Sequence, residues 1–398
     1  MSKERYWSVW NYALSIKKGG RKMRKTLLLI PLILLVGASV AFAGPTVAIV
    51  KSDNHELSGE QWNFSMFDFS KRWETTWTPE SEAYIEGMVR KAVDLAGGLP
   101  VKQGDNVVIK VNLVQDGWYV LSMELTKNDI NPQRYPVPDA KYFNHLMQSI
   151  LTDARVAKAV CKIAQENGAG SVSILEGPNA GLTAAYYLVY GYKDWAEKMG
   201  VKLLDPDVNC TLGTYKPKTK DPALPEYVLP NEWVKADCRI SIGKMKTHDN
   251  AGISLTLKNV AVGICPRSVY GAIKLGLPHN KMNRVVADVN SIAPATFSIV
   301  DALWGMDGWG AFHGRPIPSD LIIAGSDGVA VDSTGAMCMG TLPWIYGNIR
   351  ECKLNGIGTY RDINIVGTRL EDAVRIYMPV PPGQHPDHTA SGVLGWRP

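Results

Sequence analysis

Short apolar runs rich in valine and isoleucine recur along the chain and alternate with segments of helical period. TVAIVK (46–51), VVIKVNLV (107–114), SVSILEG (171–177) and VKLLD (201–205) read as strands, as do CRISIGK (238–244), FSIVDAL (297–303), LIIAGSD (321–327) and INIVG (363–367). Near-continuous apolar strands of this kind are covered on both faces. Residues 80–96, 153–169 and 192–200 carry apolar positions three and four apart and predict helices, and further helices begin near Val329 and Leu370. Strands alternating with helices predict an α/β fold, a mainly parallel sheet flanked by helices in three layers. Two stretches interrupt the rhythm as long loop insertions. Residues 114–145 are rich in Asn, Pro, Tyr and Asp and read as a lid or insertion, and residues 206–232 carry five prolines and read as a surface excursion. The Pro/Gly-rich tail, 379–398, reads as poorly ordered.

The first 43 residues follow a different logic. A basic run, KKGGRKMRK, precedes TLLLIPLILLVGASVAFA, an apolar stretch ending in Ala41-Phe42-Ala43. That order is the pattern of a secretory signal peptide, with the true start at Met23 and cleavage near Ala43. The expectation is a periplasmic or secreted protein that meets the membrane only through export. Its body would be one α/β domain over 44–378, or two lobes within that span.

Charge then changes the picture. The whole chain is basic, but the leader holds eight Lys/Arg and one Glu, which leaves 35 basic against 37 acidic residues. Nothing global therefore points to nucleic acid as a partner. The six cysteines contain no C-x-x-C, so no cysteine-bound iron–sulfur cluster is expected from this chain.

Polar residues concentrate where the apolar runs stop. The predicted strands lead into Asn112, Glu176, Asp205, then Lys244, Lys246 and His248, then Asp301 and Asp327. In open parallel sheets ligands bind outside the carboxyl ends of the strands. The segment GKMKTHDN is the densest of these ends: Lys244, Lys246 and His248 share one strand phase, and Lys258-Asn259 opens the next element. Cations so placed repel one another unless an anion offsets them, and clustering brings a lysine towards the range of a general base. Lys246, His248, Lys258 and Asp301 are accordingly the candidate catalytic residues. Asn112, Glu176, Lys244, Asn259, Asp327 and Asp332 are candidate ligand-binding residues. Gly305, Gly308 and Gly310, in a glycine-rich loop that permits close backbone approach, join them. His248 and His279 form an N/O pair that a divalent metal would use.

These separated motifs resemble the domain-of-unknown-function family 362. The residues that carry the likeness are Asn112, Lys244 to His248, Lys258-Asn259, His279, Asp301 with Gly305 to Gly310, and Asp327 with Asp332. Members of that family are often associated with iron–sulfur proteins and some carry a ferredoxin-like cysteine module, which this chain lacks; a redox partner protein is what the likeness implies. A more distant likeness, carried by no single motif, is to the nickel-pincer lactate racemase group, which pairs lysine and histidines between two α/β lobes. The leading expectation is an exported enzyme acting on a small anionic substrate. The alternatives are a periplasmic binding or accessory protein for a redox or metal-handling system, without turnover, and a surface-interaction module centred on Trp304 and Trp309.

Overall fold

The computed structural model describes residues 44–64, 75–114, 140–312 and 314–380. The leader, most of the 114–145 insertion and the tail from 381 lie outside the described residues. The main sheet has nine strands in chain order: Thr46–Lys51 (β1), Asn106–Lys110 (β2), Ser171–Leu175 (β3), Lys202–Leu204 (β4), Cys238–His248 (β5), Gly252–Ser254 (β6), Phe297–Asp307 (β7), Arg315–Gly325 (β8) and Asn364–Gly367 (β9). Their spatial order is β9-β1-β8-β7-β5-β2-β3-β4, with β6 folded back as a hairpin on β5.

β7, β5, β2, β3 and β4 run parallel, and β9 runs parallel to β1. β8 alone is antiparallel to both β1 and β7. The expected three-layer, mainly parallel α/β sheet is therefore present. The one reversed strand has a consequence for the site. Gly325, at the carboxyl end of β8, pairs with Ser298 at the start of β7 and with Val47 at the start of β1. Asp327 thus lies at the opposite end of the sheet from Asn112, Glu176 and Lys246. Periodicity reveals that LIIAGS is a strand but not which way it runs.

The two apolar faces follow from the period-two alternation of strand side chains. Val107, Ile109, Ile240 and Ile242 point to one core, packed with helices Pro79–Leu95 (α1), Ala140–Ile150 (α2) and Ala154–Glu166 (α3). Val108 and Met245 point to the other, packed with Thr256–Gly263 (α4), Met282–Ile292 (α5) and Gly328–Cys338 (α6). Three of these helices start on a side-chain cap. Thr78 accepts Ser81 N–H at α1, Asp153 accepts Arg155 N–H at α3, and Asp327 accepts Val329 and Ala330 N–H at α6.

The 206–232 stretch is not wholly a surface excursion. It folds a hairpin, Leu212–Tyr215 with Tyr227–Pro230, whose Tyr227 and Leu229 are buried. All six cysteines are free thiols, and five of them are buried. Burial pushes Cys265 and Cys338 up to about 12, and half-buried Cys210, beside Glu232, to about 12 as well.

Candidate functional site

At the carboxyl ends of β2, β3 and β5 a small cavity of about 20 Å³ is lined by lysines, asparagines and one carboxylate. Lys110, Asn112, Glu176, Lys246, His248, Lys258 and Asn259 line it, with Asn179, Ser254 and Ala311 at its wall. Every polar strand end that meets here belongs to a parallel strand, apart from the helix residues Lys258 and Asn259, which α4 delivers from the other face. Sheet topology and the packing of α4 together join residues up to 149 positions apart, as in the bond from Lys110 to Asn259.

The lysines are held in different ways. Lys110, in the last position of β2, gives its ammonium three acceptors: the Val111 carbonyl, Glu176 Oε1 at 2.9 Å and Asn259 Oδ1 at 3.3 Å. Glu176 is fixed in turn, Oε1 accepting Gly177 N–H at 2.8 Å and Oε2 accepting Leu113 N–H at 2.5 Å. A buried ion pair is tolerated on these terms, with each charge compensated and its remaining hydrogen-bonding capacity used. Lys244 is neutralised separately, by Asp301 Oδ1 at 2.9 Å. Asp301 Oδ2 also accepts Asp153 N–H at 2.8 Å, which ties the start of α3 to β7.

Lys246 is different. It is 1% exposed, and its Nζ donates to Asn112 Oδ1 at 3.2 Å and to the Ile150 carbonyl at 3.0 Å, both neutral acceptors. Burial, then the charges of Lys258 and Lys244, hold its ammonium well below the ordinary lysine range. Lys258, on the first turn of α4, makes no hydrogen bond or ion pair to any described residue at contact distance. Burial lowers it to about 8, against the pull of Asp249. His248, at the end of β5, lies 2.7 Å from Asp249 Oδ1 through Nδ1 and is lowered to about 4 by burial and by Lys258. At neutral pH the ring is uncharged.

Asn259 is the hub between the layers. Its amide donates to the Lys110 and Ile242 carbonyls and to Ser241 Oγ, each at 3.2 Å, while Oδ1 accepts from Lys110 and Asn112. An asparagine supplies two donors and a two-lone-pair acceptor on one plane, and this position uses all of them.

The remaining candidates lie elsewhere. Asp327 caps α6 and also accepts Thr359 N–H at 3.0 Å. Asp332, one turn on, accepts Thr256 N–H at 2.9 Å and Leu257 N–H at 3.0 Å. It thereby caps α4 from outside, since Leu255 offers no side-chain cap. Burial pushes its carboxyl up to about 7 against those donors. Neither aspartate lines the cavity. Nor do the loop glycines: a Cβ on Gly310 would sit 1.9 Å from the Thr247 carbonyl, and one on Gly305 would meet the Tyr377 hydroxyl and the Met245 carbonyl. Gly308 has φ +73°, and its N–H donates to the Met378 carbonyl at 2.9 Å. These glycines let the loop pack against β5 and the chain end. His279 is also outside the cavity; its Nδ1 donates to the Leu277 carbonyl at 2.8 Å. Among the described residues no group of three or more His, Cys, Asp or Glu is arranged to hold a metal ion. Trp304 is buried and stacks on His145 at 4.0 Å.

Two members of the neighbourhood are absent from the sequence reading. Lys110 sits inside an apolar strand, and a lone lysine at an otherwise core position was the available signal. Lys274 is fully buried, its Nζ donating to the Gly177 and Val262 carbonyls at 2.6 Å and to Gly263 O at 3.4 Å. It closes the carboxyl end of α4 beside the cavity wall and is lowered to about 8 by burial. Ile273 and Lys274 are held at φ +46° and +57°, an unusual conformation for an isoleucine.

An α/β sheet with a lysine-lined cavity at its strand ends is the class of molecule these features define. Residues 142–337 match the model of DUF362, a domain of unknown function. The match takes in Glu176, Lys246, His248, Lys258 and Asn259, and starts after Lys110 and Asn112. A comparison with curated proteins gave no match. Among solved structures, a structural-genomics protein from Thermotoga maritima is similar at 15% identity and a TM-score of 0.31, over 59% of this chain and 53% of that one. The lactate racemase apoprotein from Thermoanaerobacterium thermosaccharolyticum is similar at 14% identity and a TM-score of 0.32, over 67% of this chain and 58% of that one. The chain thus spans little more than half the length of either.

Proposed function

We propose that the chain is an exported enzyme acting on a small anionic substrate, with Lys246, His248 and Lys258 as its working groups. The observation that carries this reading is the unequal compensation of the cavity lysines. Lys110 and Lys244 each have a carboxylate at 2.9 Å, whereas Lys246 has only neutral acceptors and Lys258 has none at contact distance. Lys258, partly exposed to the cavity, is then a cation with no anionic partner at contact distance, and a protein retains such a group where a ligand supplies the missing charge. The anion would sit against Lys258, Asn112 and Asn259 would orient it, and neutral His248 would move a proton. Export is read from the leader pattern of residues 17–43.

Calorimetric titration with inorganic phosphate, sulfate and acetate tests the anion site. The expected result is binding by the mature protein and at least ten-fold weaker binding by Lys258→Gln. Equal binding by the two would overturn the assignment. Turnover in a screen of phosphorylated and carboxylated substrates, lost in a His248→Ala variant that still binds phosphate, separates an enzyme from a binding protein.

A further inference from the structure

We propose that Lys246 is a covalent nucleophile that captures a small carbonyl compound bearing an anionic group, forming an imine. This rests on the anion-site reading above and adds to it the substrate class and the bond formed.

Counting donors against acceptors singles out Lys246. An ammonium has three N–H donors and no lone pair, whereas a neutral primary amine has two donors and one lone pair. Lys110 and Lys274 each present three acceptors to Nζ, the complement of an ammonium. Lys244 has a carboxylate. Lys246 has two acceptors, Asn112 Oδ1 and the Ile150 carbonyl, and its remaining valence belongs to the cavity it lines. Two acceptors and an open third direction are the complement of a neutral amine with its lone pair free. Lys258 supplies the neighbouring positive charge that disfavours a third proton on Lys246, and the two lysines divide the work: one attacks, the other holds the anion.

The chemistry balances without any added oxidant or reductant. The Lys246 lone pair attacks the carbonyl carbon, and the π pair of the C=O bond moves to oxygen, which takes a proton from solvent water, the one proton the overall reaction consumes. Nitrogen loses one proton to give the neutral carbinolamine. The nitrogen pair then forms C=N as the C–O bond breaks and water leaves, giving a protonated imine. His248, uncharged and on the same cavity wall, accepts the proton from nitrogen and returns it to the departing oxygen. A cavity of about 20 Å³ has room for about one water-sized group, so the smallest carbonyl anions, of two carbons, are the appropriate probes, and the site must widen to take them.

The mature protein is incubated with sodium cyanoborohydride and glyoxylate, glycolaldehyde phosphate or uncharged glycolaldehyde, then digested and mapped by mass spectrometry. The expected result is one reduced adduct, on Lys246, at least ten-fold above any surface lysine with one or both anionic probes. Inorganic phosphate should suppress it, and Lys258→Gln should lower its yield ten-fold or more. An adduct spread over surface lysines, or placed on Lys258, would overturn the proposal, and an equal yield with uncharged glycolaldehyde would overturn the anionic requirement. If phosphate binds through Lys258 yet no adduct forms, only the covalent step fails. If neither phosphate binding nor an adduct is seen, the anion site fails with it. A Lys246→Met variant, checked for fold by circular dichroism, is the mapping control.

Discussion

Lys258 shows how one side chain can work against the fold and for the site. Its folded value of about 8 lies below the ordinary 10.5, so the folded protein holds this proton more weakly than the unfolded chain does. Such a group subtracts stability at neutral pH, and the loss is recovered as pH rises from 8 towards 10.5. Anion binding has the opposite sign, because it needs the ammonium and declines as pH passes 8. Lys258→Met is therefore expected to raise the ligand-free midpoint of thermal unfolding by an amount equivalent to about 1–2 kcal/mol while abolishing phosphate binding. Differential scanning calorimetry with and without phosphate reads both. Glu176→Gln makes the contrast. It removes the carboxylate that compensates Lys110 and is expected to cost about 3 kcal/mol in urea unfolding, the penalty of a stranded buried charge.

At the scale of elements, α4 carries Lys258 and Asn259 but brings no cap of its own, and borrows one from Asp332 of α6. Asp332→Ala is expected to destabilise the protein by about 2 kcal/mol, as loss of a buried cap does, and to weaken phosphate binding although Asp332 lies outside the cavity. Urea unfolding and calorimetric titration on the same variant read the two effects. The glycine loop acts on β5 in a similar way. Gly310 N–H donates to the Gly308 carbonyl, and the Gly310 carbonyl accepts Asp249 N–H at 3.0 Å, so a Cβ there would push against Thr247 and displace the His248-Asp249 turn.

These two elements also show what the sequence makes legible. The strand ending at Lys51 is read to the residue, and Asn112, Glu176, Lys246, His248, Lys258 and Asn259 are all foreseen and all meet at one cavity. Asn112, Glu176, Lys246 and His248 share a local feature, a polar residue where an apolar run ends on strands of one direction. Lys258 and Asn259 open the helix that follows the β5–β6 hairpin. Asp327 and Asp332 have the same local look and a different place, because β8 runs the other way and strand direction is set by long-range pairing. Asp301 answers Lys244 across a β7–β5 register pair, a contact that no local pattern contains. Lys110 escapes notice for the converse reason: it ends β2 but lies inside the longer run 107–114 read from the sequence, and its partner Glu176 lies 66 positions away.

Across the whole molecule, the sheet order sets where the fold is most persistent. β5, β7 and β8 are the longest strands, eleven residues each, and are paired on both edges, whereas β9 and β4 are short edge strands. Native-state amide hydrogen exchange is expected to be slowest in β5, β7 and β2 and to begin in β9 and β4, with the cavity framework opening only in global unfolding. The site is therefore built on the most rigid part of the sheet, which suits groups that must be held in place against their own charge.

The free thiols carry a consequence of another kind. With thiols pushed to about 12, Cys210, Cys265 and Cys338 are thiolate in roughly one molecule per hundred thousand at neutral pH, and it is the thiolate that reacts. Disulfide exchange and peroxide attack on these three sulfurs are slowed about a thousand-fold relative to an ordinary thiol titrating near 9. Sulfurs held in this way resist oxidation while the chain is folded, so a change of redox conditions is expected to leave these three positions as thiols.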